Sequence, residues 1–168
     1  MFRIFCWISV LNLVIDIGNT NAKLATFKDN AIVAKQVVEH DQLLLQLKKL
    51  NFTKGIVSNV GNADLEKNIL CDYPTIISMS SKLKLPIESS YSSMESVGND
   101  RLANAVGAYV ENPNANSLVI DSGTCLTYDF INANNFYLGG AISLGLNMRF
   151  KALNTFTEKL PLLNKASK

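Results

Sequence analysis

The sequence is poor in the residues that build metal sites and disulfide frameworks. Its 168 residues include one histidine and three cysteines, and Cys6, Cys71 and Cys125 are widely spaced with no CxxC pair. This pattern excludes a zinc site of the usual ligand spacing and favours a reducing cytosol over a disulfide-bonded scaffold. The Cys125 side chain is compatible with either a reactive thiol or a small apolar residue beside a strand.

The chain also lacks an excess of either charge. Its 16 basic and 14 acidic side chains give a net charge of +2, so no basic surface of the kind that binds nucleic acid is expected. Charged residues make up 18% of the chain and hydrophobic residues 48%, which is typical of a globular protein. The apolar run Met1–Leu11 is followed too soon by Asp16 to span a membrane. We expect this run to be an extra strand, or residues upstream of the natural start, rather than a signal peptide.

What the sequence does contain is a pair of matching segments. Leu13–Asn21 reads LVIDIGNTN, and Leu118–Thr127 reads LVIDSGTCLT. Each is a β-branched run that reaches Asp, one further residue and Gly, with Thr close behind, which predicts a strand followed by a tight turn. Glycine lets a ligand approach the backbone closely, and the threonine with exposed N–H groups can bind phosphate oxygens. The pair therefore predicts two loops that hold one polyphosphate.

The order of predicted elements around each loop is the same. Strand, loop, strand, turn, strand and helix occur twice, which predicts an α/β chain with an internal duplication. We expect a first domain over 12–111 and a second over 116–168, with the phosphate donor in the cleft between them. The helix predicted over His40–Leu50 places His40, the single histidine, at the surface rather than in catalysis. The Gly139–Gly145 segment is compatible with a hinge or with a strand-to-helix turn.

A third polar group, Gly98-Asn99-Asp100-Arg101, lies between the two loops at the start of a predicted helix. Asp100 is compatible with a proton acceptor for a substrate hydroxyl or with a helix N-cap. Arg101 can hold a carboxylate or phosphate through two hydrogen bonds, or can be solvated. Tyr91, in the preceding loop, is either a pocket wall or a surface aromatic residue. Phosphoryl transfer needs charge neutralisation, so Mg²⁺ arriving with a nucleotide is implied.

Together these motifs resemble those of the type III pantothenate kinases, in the actin/sugar-kinase/Hsp70 superfamily. Asp16–Lys23 is similar to the first phosphate loop of the family, Gly98–Arg101 to its Gly-x-Asp-Arg substrate motif, and Asp121–Thr124 to its second phosphate loop. The motifs occur in the family's order between Asn12 and Leu163. The resemblance implies an α/β, duplicated ribonuclease H-like (actin-like ATPase) fold with its second domain incomplete.

The resemblance also implies a reaction and a set of site residues. The reaction is ATP-dependent phosphorylation of pantothenate to 4′-phosphopantothenate, the first step of coenzyme A synthesis, by a cytoplasmic homodimer. Asp100 is implied as proton acceptor and Asp121 as the ligand of a monovalent cation, K⁺ or NH₄⁺. Pantothenate contacts are implied for Tyr91, Gly98, Asn99, Asp100 and Arg101. ATP contacts are implied for Asp16, Ile17, Gly18, Asn19, Thr20, Asn21, Ala22, Lys23 and Thr124.

The sequence departs from the family pattern in three places. Ser143 stands where the family usually has proline, and Cys125 where it usually has alanine. The third departure is length, since the family continues for about another third of a chain, against a domain norm of about 100–200 residues. The sequence is thus interpreted as a fragment or a truncated form. A non-catalytic relative that binds ligand without turnover, or a kinase of another small hydroxylated substrate, is the alternative.

Overall fold

The computed structural model describes residues 11–89, 91 and 94–164. Apart from Leu11, the predicted extra strand over 1–11 lies outside the described residues. The chain divides into two compact units between Ser80 and Ser81, which we call unit 1 and unit 2. The compact units thus divide well before the predicted domain boundary near Glu111. That the chain consists of two duplicated domains, over 12–111 and 116–168, stays a prediction.

Unit 1 is a five-stranded sheet with two α-helices. Its elements are β1 (Leu11–Ile17), β2 (Ala22–Lys28), β3 (Ala31–Val38), α1 (Leu43–Leu47), β4 (Lys54–Asn59), α2 (Ala63–Asp72) and β5 (Ile76–Ser78). The strand order is β3-β2-β1-β4-β5, in which β2 is antiparallel to β1 and β3 while β4 and β5 run parallel to β1. This is the ribonuclease H-like arrangement that the family resemblance implies.

The core of unit 1 lies between one face of this sheet and the helices. Leu13, Ile15 and Ile17 alternate with more exposed residues along β1 and have no exposed surface, as a half-buried strand requires. Buried leucine and isoleucine side chains of α1 and α2 pack against them. The helix predicted over 40–50 is shorter, because His40–Gln42 forms a 3-10 turn before α1. Asn62 caps α2 by accepting a hydrogen bond from the Leu65 N–H at 3.0 Å.

Unit 2 repeats the antiparallel part of this design. Its elements are β6 (Glu88–Ser89), α3 (Asn99–Glu111), β7 (Ser117–Ser122), β8 (Cys125–Ile131), β9 (Phe136–Leu144) and α4 (Leu146–Thr155). The strand order is β6-β9-β8-β7, with β7, β8 and β9 antiparallel as β1, β2 and β3 are. Helix α3 packs against β7 and β8, so it belongs to this unit.

The two units differ in how well they cover the equivalent strand. Leu118 and Ile120 precede Asp121 by the same spacing that separates Leu13 and Ile15 from Asp16. Leu118 and Ile120 are 58% and 57% exposed, whereas their counterparts in β1 are fully buried. Helix α4, which follows β9, has no buried side chain. Its apolar residues therefore lack a core among the described residues.

The glycine pair of unit 2 is not a strand-to-helix turn, so that interpretation of Gly139–Gly145 is wrong for Gly139 and Gly140, while the hinge stays a prediction. Both residues lie inside β9, opposite a register shift between Phe130 and Ile131. Gly139 has a φ of +87°, and a Cβ on Gly140 would overlap the Tyr128 carbonyl oxygen. A bulge that brings two backbones this close requires glycine.

Candidate active site

The first loop joins β1 to β2 at the end of the central strand of unit 1. The Gly18 N–H donates to the Asn21 carbonyl oxygen at 3.1 Å and closes a turn whose next three residues are exposed. Asp16 at the end of β1 lies opposite Lys23 at the start of β2. The structure thus brings together the residues 16–23 that the sequence predicts as one site.

Asp16 and Lys23 form an ion pair, with Lys23 Nζ 3.1 Å from Asp16 Oδ2. The side chains are 32% and 55% exposed, so the pair adds little to folding stability. Its consequence is positional, since it holds the ammonium group beside the open end of the loop. From there, the Lys23 ammonium group can exchange the Asp16 carboxylate for a phosphate oxygen, since both are negatively charged.

Two residues that the sequence did not assign to the site support this loop from beneath. His40 Nε2 lies 3.0 Å from the Gly18 carbonyl oxygen, so the proton of a neutral ring is on Nε2. The interpretation of His40 as a surface residue is therefore wrong: it is half-buried and anchors the loop. Gly61 lies against the Gly18 carbonyl so closely that a Cβ there would overlap it. His40 and Gly61 thus both contact the Gly18 carbonyl group.

Oxygen ligands for Mg²⁺ are available beside this loop. Lys23 occupies Asp16 Oδ2, which leaves Oδ1 for a cation or its waters. Ser58 of β4 is in register with Asp16, and its buried hydroxyl has no hydrogen-bond partner within the described part of the chain. Carboxylate and hydroxyl oxygens suit a hard cation that keeps several waters. The residues present therefore fit a nucleotide-bound Mg²⁺.

The second loop is a tight connection between β7 and β8. The Gly123 N–H donates to the Cys125 carbonyl oxygen at 2.8 Å, and Thr124 is exposed at the tip. The Thr124 carbonyl oxygen accepts a hydrogen bond from the Gly145 N–H at 3.1 Å. Gly145 and His40 each follow the third strand of their meander, and each contacts the glycine loop of its own unit. In both units, a residue that follows the third strand of the meander thus supports the loop.

Asp121, the predicted monovalent-cation ligand, is exposed at the end of β7. Its Oδ2 accepts a long hydrogen bond of 3.4 Å from Asn104 of α3. Nowhere in the described ranges do three or more histidine, cysteine, aspartate or glutamate side chains gather into a metal cluster. Cys71 and Cys125 are both free thiols.

The Gly98–Arg101 motif forms the first turn of α3. Gly98 is the N-cap residue of this helix. Asp100 lies inside the helix, so its interpretation as the N-cap is wrong. Its Oδ1 accepts a hydrogen bond from the Arg101 N–H at 2.9 Å. This bond orients the carboxylate and leaves Oδ2 able to accept a proton.

Arg101 is not solvated, because it forms a two-pronged ion pair with Asp129 of β8. Nε donates to Oδ1 at 3.0 Å and to Oδ2 at 3.2 Å, and Nη2 donates to Oδ1 at 2.7 Å. Asp129 has no exposed surface, and the Arg101 side chain is 12% exposed. Burial lowers the pKa of Arg101, but the hydrogen bond and negative charge of Asp129 outweigh it and raise that pKa above its usual value.

Two tyrosines complete this group. The buried Tyr137 hydroxyl donates to Asp129 Oδ1 at 2.6 Å. The ring centroid of Tyr91 lies 6.3 Å from that of Tyr137, in the space that the missing side chain of Gly139 leaves open. Tyr91 is 43% exposed, and its role as a pocket wall stays a prediction. The structure thus places Arg101 and Tyr137 around one buried carboxylate, with Tyr91 beside the Tyr137 ring.

Sequence reasoning missed Asp129 and Tyr137. A signal was present, because Asp129 lies two residues from both Thr127 and Ile131 along β8, on the face of the strand that is buried. A charged residue at such a position must be paired. Its partner, however, is 28 residues away on a helix whose register no sequence pattern fixes.

The Tyr137 hydroxyl predicts a pH dependence of stability. Burial first, and then the hydrogen bond to Asp129, raise its pKa above the usual value. Above about pH 10 the unfolded chain loses this proton while the folded chain keeps it, so stability falls by up to about 1.4 kcal/mol per pH unit. We expect the difference in unfolding free energy between wild type and Tyr137→Phe to narrow above that pH. Urea titrations on either side of about pH 10 measure this difference in unfolding free energy. A difference that stays constant across that pH contradicts the raised pKa of Tyr137.

Within the ranges that the structure describes, no helix is long and apolar enough to cross a membrane.

The site residues form two groups. The first comprises residues 16–23 in unit 1, supported by His40 and Gly61. The second, in unit 2, comprises the start of α3 with its buried partners and the Asp121–Thr124 turn.

Comparison with known proteins identifies the family. A family model described as type III pantothenate kinase matches residues 12–168. A type III pantothenate kinase of Christiangramia forsetii is 40% identical over 159 residues, which cover 91% of this chain and 65% of that protein. Another, of Phocaeicola vulgatus, is 42% identical over 156 residues, which cover 90% of this chain and 64% of that protein.

Among solved structures, the type II variant of the Aquifex aeolicus Ppx/GppA phosphatase is similar over 89% of this chain and 56% of its own. Its TM-score of 0.45 and identity of 15% are too low to bear on the chemistry. The chain spans 64–65% of the length of the two kinases above. Because the family match covers nearly the whole sequence and includes every predicted motif, the chain belongs to the type III pantothenate kinase family.

Proposed function

We propose that the natural polypeptide in which this chain occurs transfers a phosphoryl group from ATP to pantothenate and forms 4′-phosphopantothenate, the first step of coenzyme A synthesis. The observation that carries the proposal is the first turn of α3, where Asp100 and Arg101 stand side by side with their side chains fixed. A carboxylate and a fixed guanidinium on consecutive residues of one helical turn suit a substrate that offers a hydroxyl to one and an acceptor oxygen to the other. Membership of the kinase family supports the same reaction.

The proposed nucleotide contacts are residues 16–23 and Thr124. The turn in unit 1 offers Lys23 and exposed backbone at Asn19–Asn21, which are groups that bind phosphate oxygens. The proposed pantothenate contacts are Tyr91 and Gly98–Arg101.

The chemical step needs one proton acceptor. As the pantothenate hydroxyl oxygen forms its bond to the γ-phosphorus, the bond from that phosphorus to the β,γ-bridging oxygen breaks and ADP leaves. The hydroxyl proton passes to Asp100 Oδ2, the carboxylate oxygen that is not bonded to the Arg101 N–H. Positioning and charge stabilisation dominate such transfers, so the fixed geometry of this turn is the main contribution of the protein.

Two cations are part of the proposal. Mg²⁺ bound to ATP would lie beside Asp16 and Ser58 and would neutralise phosphate charge. A monovalent cation, K⁺ or NH₄⁺, would be held at Asp121, whose carboxylate is exposed and only weakly hydrogen-bonded. We also propose that the protein acts in the cytoplasm as a homodimer.

The proposal is tested by incubating the purified natural polypeptide with ATP, Mg²⁺, K⁺ and pantothenate. We expect ADP and 4′-phosphopantothenate in equal amounts, identified by mass spectrometry. Replacing K⁺ with Na⁺ should lower the rate if Asp121 holds the cation. Calorimetric binding of ATP and pantothenate without product would overturn the proposal in favour of a non-catalytic relative. Turnover of a different hydroxylated acid alone would overturn the choice of substrate.

Lys23 predicts a separation between stability and nucleotide binding. Because its ion pair with Asp16 is exposed, Lys23→Met should change the unfolding free energy by less than about 1 kcal/mol. Loss of a charged hydrogen bond to phosphate should raise the KM for ATP by about tenfold or more. Lys35→Met, on the exposed edge strand β3, is the matched control and should change neither quantity. An unchanged KM for ATP in Lys23→Met would remove Lys23 from the nucleotide site.

A further inference from the structure

We propose that Asp129 and Tyr137 are positioning residues that fix the Arg101 guanidinium in the orientation in which it binds pantothenate. The inference rests on the proposed function only in taking pantothenate as the molecule that Arg101 contacts. Neither residue belongs to the motifs by which the family resemblance was drawn. Both are contributed by the sheet of unit 2 rather than by the helix that carries Arg101.

The geometry determines which part of the guanidinium is left for a substrate. Asp129 takes Nε and one proton of Nη2, which is one full edge of the group. Nη2 also lies 3.5 Å from the Tyr128 carbonyl oxygen, and Nη1 makes no hydrogen bond to any described residue. Arg101 therefore presents its Nη1 end to a ligand. The sequence was compatible with a substrate held by two hydrogen bonds from the Nε edge of Arg101. In the structure, Asp129 already occupies that edge.

Tyr137 in turn fixes Asp129. Its hydroxyl donates at 2.6 Å to Oδ1, the same oxygen that accepts both Nε and Nη2. Three donors on one buried oxygen leave the carboxylate little freedom to rotate. The fixed orientation of the Arg101 guanidinium thus depends on two successive contacts, from Tyr137 in β9 to Asp129 in β8 and from Asp129 to Arg101.

The charge of Asp129 is also needed for Arg101 to remain where it is. A buried guanidinium without a counter-ion would turn toward solvent, and the long arginine side chain permits that movement. Replacement of Asp129 should therefore affect the molecule that Arg101 holds more than the nucleotide. A merely structural contact would instead affect both substrates through the stability of the unit.

The test uses steady-state kinetics of the natural polypeptide with Asp129→Asn and Tyr137→Phe. We expect the KM for pantothenate to rise by about tenfold or more in Asp129→Asn and less in Tyr137→Phe, while kcat and the KM for ATP stay within about twofold. In an Arg101→Lys background, Asp129→Asn should add little to the KM for pantothenate, because it acts through Arg101. Should Asp129→Asn fail to fold, Tyr137→Phe decides by the same criterion.

The proposal is overturned if the folded variants keep the wild-type KM for pantothenate, or if the KM for ATP rises as much. A second readout is independent of activity: proton exchange at Arg101 Nε, followed by NMR and assigned by the loss of its signal in Arg101→Lys. We expect exchange about tenfold slower than at Arg149 Nε, whose bond to the Leu144 carbonyl is exposed, and loss of that protection in Asp129→Asn. If wild type fails to phosphorylate pantothenate, the proposed function fails. The exchange measurement then decides the positioning role alone, and protection that persists in Asp129→Asn overturns it.

Discussion

Replacing Asp100 by asparagine should lower kcat for pantothenate phosphorylation by about 10²–10⁴-fold, the usual contribution of a positioned general base. The amide cannot accept the hydroxyl proton. Its oxygen can still accept the Arg101 N–H bond that Asp100 Oδ1 accepts, so the first turn of α3 should keep its geometry. The KM for ATP and the unfolding free energy should therefore change little. Steady-state kinetics and urea unfolding of the same preparation measure both effects.

The chain offers a matched control for this change. Asp64 occupies the same second position of helix α2 and is exposed. Asp64→Asn repeats the loss of a carboxylate from a first helical turn without removing the proposed base, so kcat should stay at the wild-type value. If Asp100→Asn retains a wild-type kcat, the base lies elsewhere and the proton transfer proposed above is wrong.

Gly61→Ala should damage the first loop from below. A Cβ at Gly61 would overlap the Gly18 carbonyl, which is backbone and cannot swing aside as a side chain can. The strain should lower the unfolding free energy by about 1–3 kcal/mol, as overpacking commonly does. The displaced loop should also raise the KM for ATP. Chemical unfolding followed by probes in unit 1, together with nucleotide kinetics, checks both effects.

Gly107→Ala is the control for the glycine replacement. An added Cβ at Gly107 has no atom within 4 Å, and the residue lies inside helix α3. Alanine there should stabilise the protein by about 0.5–1 kcal/mol, because it favours the helix over the unfolded chain. If the KM for ATP of Gly61→Ala equals that of wild type, the first loop tolerates the added Cβ, and the close contact with Gly61 is not needed for nucleotide binding.

Much of the fold follows from local patterns. The alternation in β1 and the apolar spacing of Leu43 and Leu47 are visible in the sequence, and the strands and the core follow them. The repeat of the Asp-x-Gly run predicted the repeated meander of unit 2. These features depend on neighbours within a few residues, which is the range over which periodicity carries information.

What could not be predicted depends on contacts between distant segments. The Arg101–Asp129 pair joins a helix to a strand, and His40 reaches a carbonyl 22 residues earlier in the chain. Gly140 looks like a turn residue until the opposing Tyr128 carbonyl is known. In each case a local interpretation competed with a tertiary contact that leaves no periodic trace in the sequence, and the contact decided the structure.

The unequal burial of the two equivalent strands bears on cooperativity. The hydrophobic cluster around Leu13 and Ile15 consists wholly of unit 1 residues, while Leu118 and Ile120 have no comparable cover. Two units with separate and unequal cores do not have to melt together, so a single midpoint would average two equilibria. An unfolding free energy for this chain therefore has to be measured with a probe in each unit. Gly61 and Tyr137 therefore report on different transitions.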